Sequence, residues 1–190
     1  LLVVVVMIIA IVALVSLARA IFFSGDSSSE ISQQVDVSRE ALLNTSEGHS
    51  VRMTIRGPIV ADEAFHSYRI TVTPSSRSLV TYNGYLDSQI DAINLGNNIP
   101  AYEEFVYALD KANLPLGTQL SEEKDDTRGI CATGRIYEYE IIKGEEVVKR
   151  LWTSTCKGSP GSLQASADQL TNLFKVQIPD ANKVLSKIRI

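Results

Sequence analysis

The stretch ICATGRIYEYEIIKGEEVVKRLWTSTC, residues 130–156, contains both cysteines of the chain and decides much of the predicted fold. β-Branched and aromatic residues are frequent in both halves of the stretch, which is typical of strands. Lys143 and Gly144 at its centre predict a tight turn. A two-residue turn there makes an antiparallel hairpin in which Cys131 directly opposes Cys156. That position is a non-hydrogen-bonded pair, whose Cα atoms lie close enough for a disulfide.

The same register has consequences along the whole hairpin. It opposes Glu138 to Lys149, and Ile136 to Leu151 on that same face. The other face carries both cysteines and an aromatic and aliphatic set, and we expect it to face the core. That set is Tyr137, Tyr139, Ile141, Val148 and Trp152. A four-residue loop over residues 143–146 is the alternative register, and it makes the two cysteines diagonal neighbours instead.

A structural disulfide is the predicted role of Cys131 and Cys156. Two buried free thiols, which behave as small apolar residues, are the alternative. A zinc site needs more ligands, and His49 and His66 have no recognisable zinc spacing. A redox-active pair is usually Cys-x-x-Cys, which is absent from the sequence. Since disulfides persist outside the reducing cytosol, we expect this part of the chain to be extracytoplasmic.

Residues 1–23 form an apolar segment whose single charged residue is Arg19. As a helix, a run of this length crosses a hydrocarbon core of roughly 30 Å. We interpret it as a transmembrane anchor, with Phe22 and Phe23 at the membrane interface. A signal peptide cleaved after Ala20 and a buried core segment are the alternatives.

The chain is predicted to have three regions. The anchor over residues 1–23 is followed by a Ser-rich flexible linker over residues 24–48 and an extracytoplasmic α+β domain over residues 49–190. Within the linker, residues 36–44 predict either a brief helix or more linker. The expected fold of the domain is an antiparallel sheet built from hairpins, with two or three packed helices.

The elements of this domain are indicated by periodicity. Apolar and polar residues alternate over residues 51–56 and 66–72, which predicts two strands, and a turn at Pro74 returns the chain as a third. Apolar residues at helical spacing predict a helix capped by Asn98 and two shorter helices after residue 162. Residues 86–98 fit neither pattern.

The charge balance excludes one class of partner. The chain has 18 basic and 22 acidic residues, and Arg19 is the basic residue inside the apolar segment, which leaves 17 basic residues outside it. A mildly acidic domain has no positive field to attract a phosphate backbone. We therefore expect no nucleic-acid partner.

No catalytic, cofactor or metal site is predicted from motifs. G-x-S-x-G, P-loop and G-x-G-x-x-G patterns are absent. A hydrolase could still assemble a site from dispersed Ser and acidic residues with His66 as its base. His49 is expected to be solvated. The carboxylates over residues 122–126 and 145–146 are interpreted as solvated charge, with a calcium site as the alternative.

These observations lead to three hypotheses on function. The first is a membrane-anchored extracytoplasmic domain that binds a protein partner in the cell envelope or serves as a structural component of it. In its layout, an apolar N-terminal helix, an antiparallel sheet and a C-terminal disulfide, the chain resembles type IV pilins, which implies a surface filament subunit. It departs from them at Val5, where pilins carry glutamate, and over residues 24–29, which break the apolar helix. The third hypothesis is the hydrolase.

Overall fold

Six antiparallel strands form one sheet in a computed structural model that describes residues 37–190. The predicted anchor, residues 1–23, lies outside the described residues. In chain order the strands are β1 (His49–Arg56), β2 (His66–Val72), β3 (Ser76–Asn83), β4 (Ser88–Gly96), β5 (Ile136–Lys143) and β6 (Glu146–Ser154). Their order across the sheet is β4-β3-β2-β1-β5-β6. The predicted antiparallel α+β class is confirmed.

The described helices are α1 over residues 37–43, α2 (Ile99–Lys111), α3 (Ala167–Lys175) and α4 (Ala181–Leu185). A 3-10 turn lies at Asp62–Ala64. The Asn98 cap is confirmed, because its side-chain oxygen accepts a hydrogen bond from the Ala101 backbone N–H at 3.0 Å. This contact satisfies one of the N–H groups that every helix leaves unpaired at its start.

The alternation of β1 places Val51, Met53 and Ile55 on one side of the sheet, which we call the core face. Val51 and Met53 have no exposed surface, as expected for a strand with one buried side. All four helices contribute side chains to the cluster packed against this face. Phe105 of α2 and Phe174 of α3 meet edge to face there, with ring centroids 5.2 Å apart.

Residues 86–98 fit neither the strand nor the helix pattern, and most of them form β4. This strand pairs with β3. The register between the two strands shifts by one residue between Thr81 and Tyr82 of β3. It lies at the edge of the sheet, and most of its side chains are exposed or half-buried. The apolar periodicity is weak because an edge strand buries little of its side-chain surface.

The register predicted from a two-residue turn at Lys143 and Gly144 is wrong, and the alternative register, which opposes Ile142 to Val147, holds only beside the turn. Lys143 pairs with Glu146 and Ile142 with Val147, whereas Ile141 pairs with Lys149. Val148 is therefore the extra residue of a β-bulge, which shifts all pairs beyond it by one position. Because side chains alternate with a period of two, this shift exchanges the two faces of β6.

The bulge also overturns the predicted cross-strand pairs. Leu151 pairs with Tyr139 in the core, whereas Trp152 pairs with Glu138 on the opposite face, which we call the polar face. Lys149, expected opposite Glu138, lies on the core face instead, where its Nζ donates to the Pro115 carbonyl at 2.7 Å. Burial lowers the pKa of Lys149.

The two cysteines lie just beyond the strands and not on them, which corrects their predicted place. Cys131 is in a turn before β5, with φ of 57°, and Cys156 follows β6. Their sulfur atoms are at disulfide distance, and their Cα atoms are 5.4 Å apart. Gly134 makes this turn possible, because a Cβ at that position would lie 2.6 Å from the Cys131 sulfur.

Residues 37–190 form one unit by Cα proximity. Residues 37–43 lie within the predicted linker, at the position where a brief helix and more linker were the two alternatives. They form a helix, and Leu42 is fully buried in the core. Arg39 joins this helix to α2 through an ion pair of 2.8 Å with Asp110. Between residues 37 and 190, no helix has both the length and the apolarity that crossing a membrane requires.

Reduction is expected to lower the stability of the folded chain. The bridge between Cys131 and Cys156 closes a loop of 25 residues, for which the chain-entropy relation gives about 3–4 kcal/mol. Urea unfolding of the full chain in detergent, with and without a reductant, measures this difference. A Cys131→Ser, Cys156→Ser double variant is the control and should not respond to reductant. Equal midpoints for the wild-type chain in both conditions would contradict the prediction.

Candidate functional site

A groove of about 520 Å³ lies between the core face of the sheet and α3, and we call it the α3 groove. Its volume is within the range that is typical of small-molecule sites. Aromatic hydroxyls, charged groups and aliphatic side chains all line it. They are Ile55, Tyr68, Arg135, Tyr137, Asp168, Thr171, Asn172, Lys175, Leu185, Ile188 and Ile190.

The floor of the α3 groove comes from three neighbouring strands. In the register of the sheet, Ile55 of β1 pairs with Tyr68 of β2 on one side and with Tyr137 of β5 on the other. Tyr68 is only 4% exposed, and burial raises its pKa, so its phenol stays protonated. Within residues 37–190, no side chain or backbone group forms a hydrogen bond with the hydroxyl of either tyrosine.

The wall of the groove is α3, which is fixed by a cap and by contacts with β5. The Ser166 hydroxyl accepts a hydrogen bond from the Gln169 N–H at 3.3 Å. The Tyr139 hydroxyl donates to the Ala167 carbonyl at 3.0 Å and lies 3.0 Å from the Thr171 hydroxyl. These contacts place the first turn of α3 beside Tyr139 and orient its polar side chains toward the groove.

Three charged side chains line the groove, one acidic and two basic. Asp168 is in the first turn of α3. Arg135 directly precedes β5, and its guanidinium donates to the Ile190 carbonyl oxygen at 2.7 Å. Lys175 is two helical turns after Asp168.

None of these groove residues was predicted to belong to a functional site, and Tyr137 was expected only on the core face of the hairpin. A usable signal was present, because Asp168, Asn172 and Lys175 follow one another at i, i+4 and i+7 along one side of the predicted helix. The periodicity of a helix does not show which other part of the protein faces that side of it. The tyrosines that complete the groove come from β2 and β5, which are distant from α3 in the sequence.

His66, the base of the hydrolase hypothesis, is at the start of β2. Its Nδ1 lies 2.9 Å from the Ala64 carbonyl oxygen. Across the described part of the chain, no serine hydroxyl and no carboxylate is hydrogen-bonded to this imidazole. His66 is also not among the residues that line the α3 groove.

His49 is buried, so the expectation that it is solvated is wrong. It is 6% exposed, and its Nδ1 lies 3.0 Å from the Ser46 hydroxyl. It lines a cavity of about 510 Å³ at the opposite end of β1 from the α3 groove, together with residues of the β2–β3 turn. The residue is buried because the turn before β1 folds back over it, with the His49 N–H donating to the Ser46 carbonyl.

Two of the carboxylates between residues 122 and 126 form ion pairs. Asp125 contacts Arg150 at 2.7 Å, and Asp126 contacts Arg128 at 2.6 Å. The arginine beside Asp126 lowers the pKa of that carboxyl to about 2. Among the described residues, no group of three or more His, Cys, Asp or Glu side chains could hold a metal ion.

The polar face of the sheet has a buried carboxylate at its centre. Glu138 is 4% exposed and accepts a hydrogen bond from the Thr127 hydroxyl at 3.0 Å. Its carboxylate also lies 3.1 Å from the Arg150 guanidinium and 3.6 Å from that of Arg56. Each oxygen of the Glu138 carboxylate therefore has a partner, as is usual for buried polar groups. The contact with Thr127 also attaches the loop over residues 118–135 to the sheet.

Compared with known proteins, the chain matches no protein-family model and is significantly similar to no curated protein. The assignment of a site therefore rests on geometry alone.

Removing the Arg150 charge should be strongly destabilising. Arg150→Met keeps the apolar stem but leaves Glu138 with one distant cation, which we expect to cost roughly 2–4 kcal/mol, near the range for breaking a buried ion pair. Arg128→Met is the matched control, because Arg128 is 87% exposed and exposed pairs contribute little. Urea unfolding of both variants measures the difference. Equal losses in the two variants would show that the buried pair has no special role.

Proposed function

We propose that this protein is a membrane-anchored binding protein of the cell envelope, and that it binds its ligand in the α3 groove. The observation that carries this proposal is the groove itself, about 520 Å³ in volume, which combines aliphatic side chains with phenol, amide and charged groups that a ligand can contact. Pockets that bind small molecules have this combination of apolar surface with a few polar groups.

The proposed location rests on two features of the sequence and one of the structure. Residues 1–23 are long and apolar enough for a transmembrane anchor. Cys131 and Cys156 are the two cysteines of the chain, and they lie at disulfide distance. A disulfide of this kind is retained in an oxidising compartment. Together these features favour an anchored domain on the extracytoplasmic side.

Labelling of intact cells tests the proposed location. If the domain is extracytoplasmic, a membrane-impermeant maleimide should label Cys131 and Cys156 of intact cells only after a mild reductant has been added, because a maleimide reacts with free thiols and not with a disulfide. The Cys131→Ser, Cys156→Ser variant is the control for specificity. Labelling that requires lysis of the cells would place the domain inside. Recovery of the chain in sheared surface filaments would favour the filament-subunit hypothesis instead.

Blocking the groove tests the proposed binding site. Native mass spectrometry of the full chain, purified from its membrane in detergent, should show a bound small molecule on the wild-type protein. Asn172→Trp introduces an indole into the groove and should abolish this adduct. Gln169→Trp places the same side chain on the exposed side of α3 and should retain it. Loss in both variants, or no adduct on the wild-type chain, would contradict a ligand site at α3.

A further inference from the structure

We propose that a surface patch at the end of the sheet where β3 turns into β4 binds a partner protein, through a segment of that partner with apolar and basic side chains. The patch consists of Ile59, Val60, Tyr85 and Leu86, and we call it the Tyr85 patch. None of these residues lines the α3 groove. The inference is therefore independent of the ligand proposed for that groove and concerns a second, macromolecular partner.

The Tyr85 patch consists of exposed apolar side chains that lie next to one another. Ile59 is 46% exposed, Val60 40%, Tyr85 48% and Leu86 92%. The Tyr85 hydroxyl donates to the Val60 carbonyl at 2.7 Å and accepts from the Val60 N–H at 3.1 Å, which joins the two chain segments. Single exposed apolar residues are ordinary, whereas a contiguous group of them marks an interaction site.

The patch is held in one conformation by contacts within the chain. The Tyr85 ring stacks on the buried Phe65 ring, with centroids 4.1 Å apart, and the Tyr85 N–H donates to the Asp62 carboxylate at 2.8 Å. Gly84 has a φ of 73°, and a Cβ there would lie 2.9 Å from that carboxylate, so this turn requires glycine. A fixed surface loses little conformational entropy on binding, and tyrosine is enriched among the residues that dominate interface energies.

The rim of the Tyr85 patch is acidic. Asp62, Glu63 and Asp87 are exposed carboxylates in the same two segments as the patch. In the described part of the chain, none of them forms an ion pair. Residues 57–68 and 83–91 contain neither lysine nor arginine. Because charges across an interface are usually complementary, this rim favours a partner with basic side chains.

The turn that borders the patch contributes no counter-charge to this rim. The Ile59 N–H donates to the Ala132 carbonyl at 2.8 Å, so the turn over residues 131–134 lies beside the patch. Arg128, before this turn, is paired with Asp126. The arginine that follows the turn lines the α3 groove instead. The three carboxylates therefore keep their charge for a partner.

The acidic rim also disfavours two other occupants of an apolar patch. In a two-fold dimer, the patch of one copy would face the same patch of the other, which would bring the carboxylates of both copies together. An anionic lipid surface would be repelled by the rim as well. A protein segment with apolar and basic side chains has neither disadvantage.

Photo-crosslinking of the full chain in intact cells tests this inference. The photo-reactive residue p-benzoylphenylalanine replaces Leu86, whose 92% exposure means that the fold does not depend on it. Irradiation should give a discrete protein adduct, and mass spectrometry should map the adduct to a segment of the partner that contains apolar residues with lysine or arginine. The same replacement of Val176, which is 71% exposed and lies outside the patch, is the matched control and should not give this adduct.

A charge-neutral variant of the chain tests the role of the acidic rim. Asp62→Asn, Glu63→Gln and Asp87→Asn together keep the side-chain shapes, and asparagine tolerates the positive φ of 52° at residue 87. The loss of three exposed charges should lower the yield of the adduct at residue 86 about threefold to tenfold. Urea unfolding of this variant should give the wild-type midpoint, which shows that its fold is intact.

A second triple variant controls for the change in net charge. Glu103→Gln, Glu104→Gln and Asp180→Asn remove exposed carboxylates outside the patch, one of them also at a positive φ, and should leave the adduct yield unchanged.

Several results would overturn the inference. Absence of an adduct at residue 86, or the same adduct from residue 176, would show that the patch has no specific partner. An adduct with a second copy of the chain would make the patch a dimer interface, and an adduct with lipid alone would make it a membrane contact. A protein adduct whose yield is the same in the charge-neutral variant would show that basic side chains do not recognise the patch.

Discussion

The pairing of β1 with β5 is the contact on which the rest of the structure depends. It joins residues 49–56 to residues 136–143 in eight consecutive pairs and thereby fuses the β1–β4 meander with the β5–β6 hairpin. Without it neither part could provide a surface broad enough for the helices. Such pairing between distant segments has a high entropic cost of loop closure, which is offset by burial of Val51, Met53 and their neighbours.

The two faces of the sheet satisfy their polar groups in different ways. On the polar face, Glu138 has Thr127 and Arg150 as partners, and Arg52 pairs with Glu140 across β1 and β5. Among the described residues, the side-chain atoms that are both buried and without a hydrogen-bond partner are Asp125 Oδ1 and Trp152 Nε1, and not the hydroxyls of the α3 groove. A buried polar group without a partner costs free energy. The case for a ligand in the groove therefore rests on the volume and the mixed lining of the groove.

The elements that were predicted correctly are those determined by interactions between residues close together in the sequence. The alternation in β1 and β2 and the Asn98 cap of α2 appear in the structure as expected. The predicted pairing of β5 with β6 was wrong because one extra residue in β6 changes which residues of the two strands lie opposite each other. The bulge at Val148 moves Trp152 out of the core and Leu151 into it. Composition does not indicate this, because a valine at a bulge is chemically the same as a valine in a regular strand.

The sequence by itself determined the α+β class, most of the strands, the hairpin between the two cysteines and the start of α2. Each depends on neighbouring residues, whose spacing and capping chemistry can be read along the chain. Only the tertiary structure decided the register of β5 with β6, the burial of His49 and the meeting of Tyr68 and Tyr137 beside α3. These depend on contacts between distant segments, where a shift by one residue exchanges the two faces of a strand.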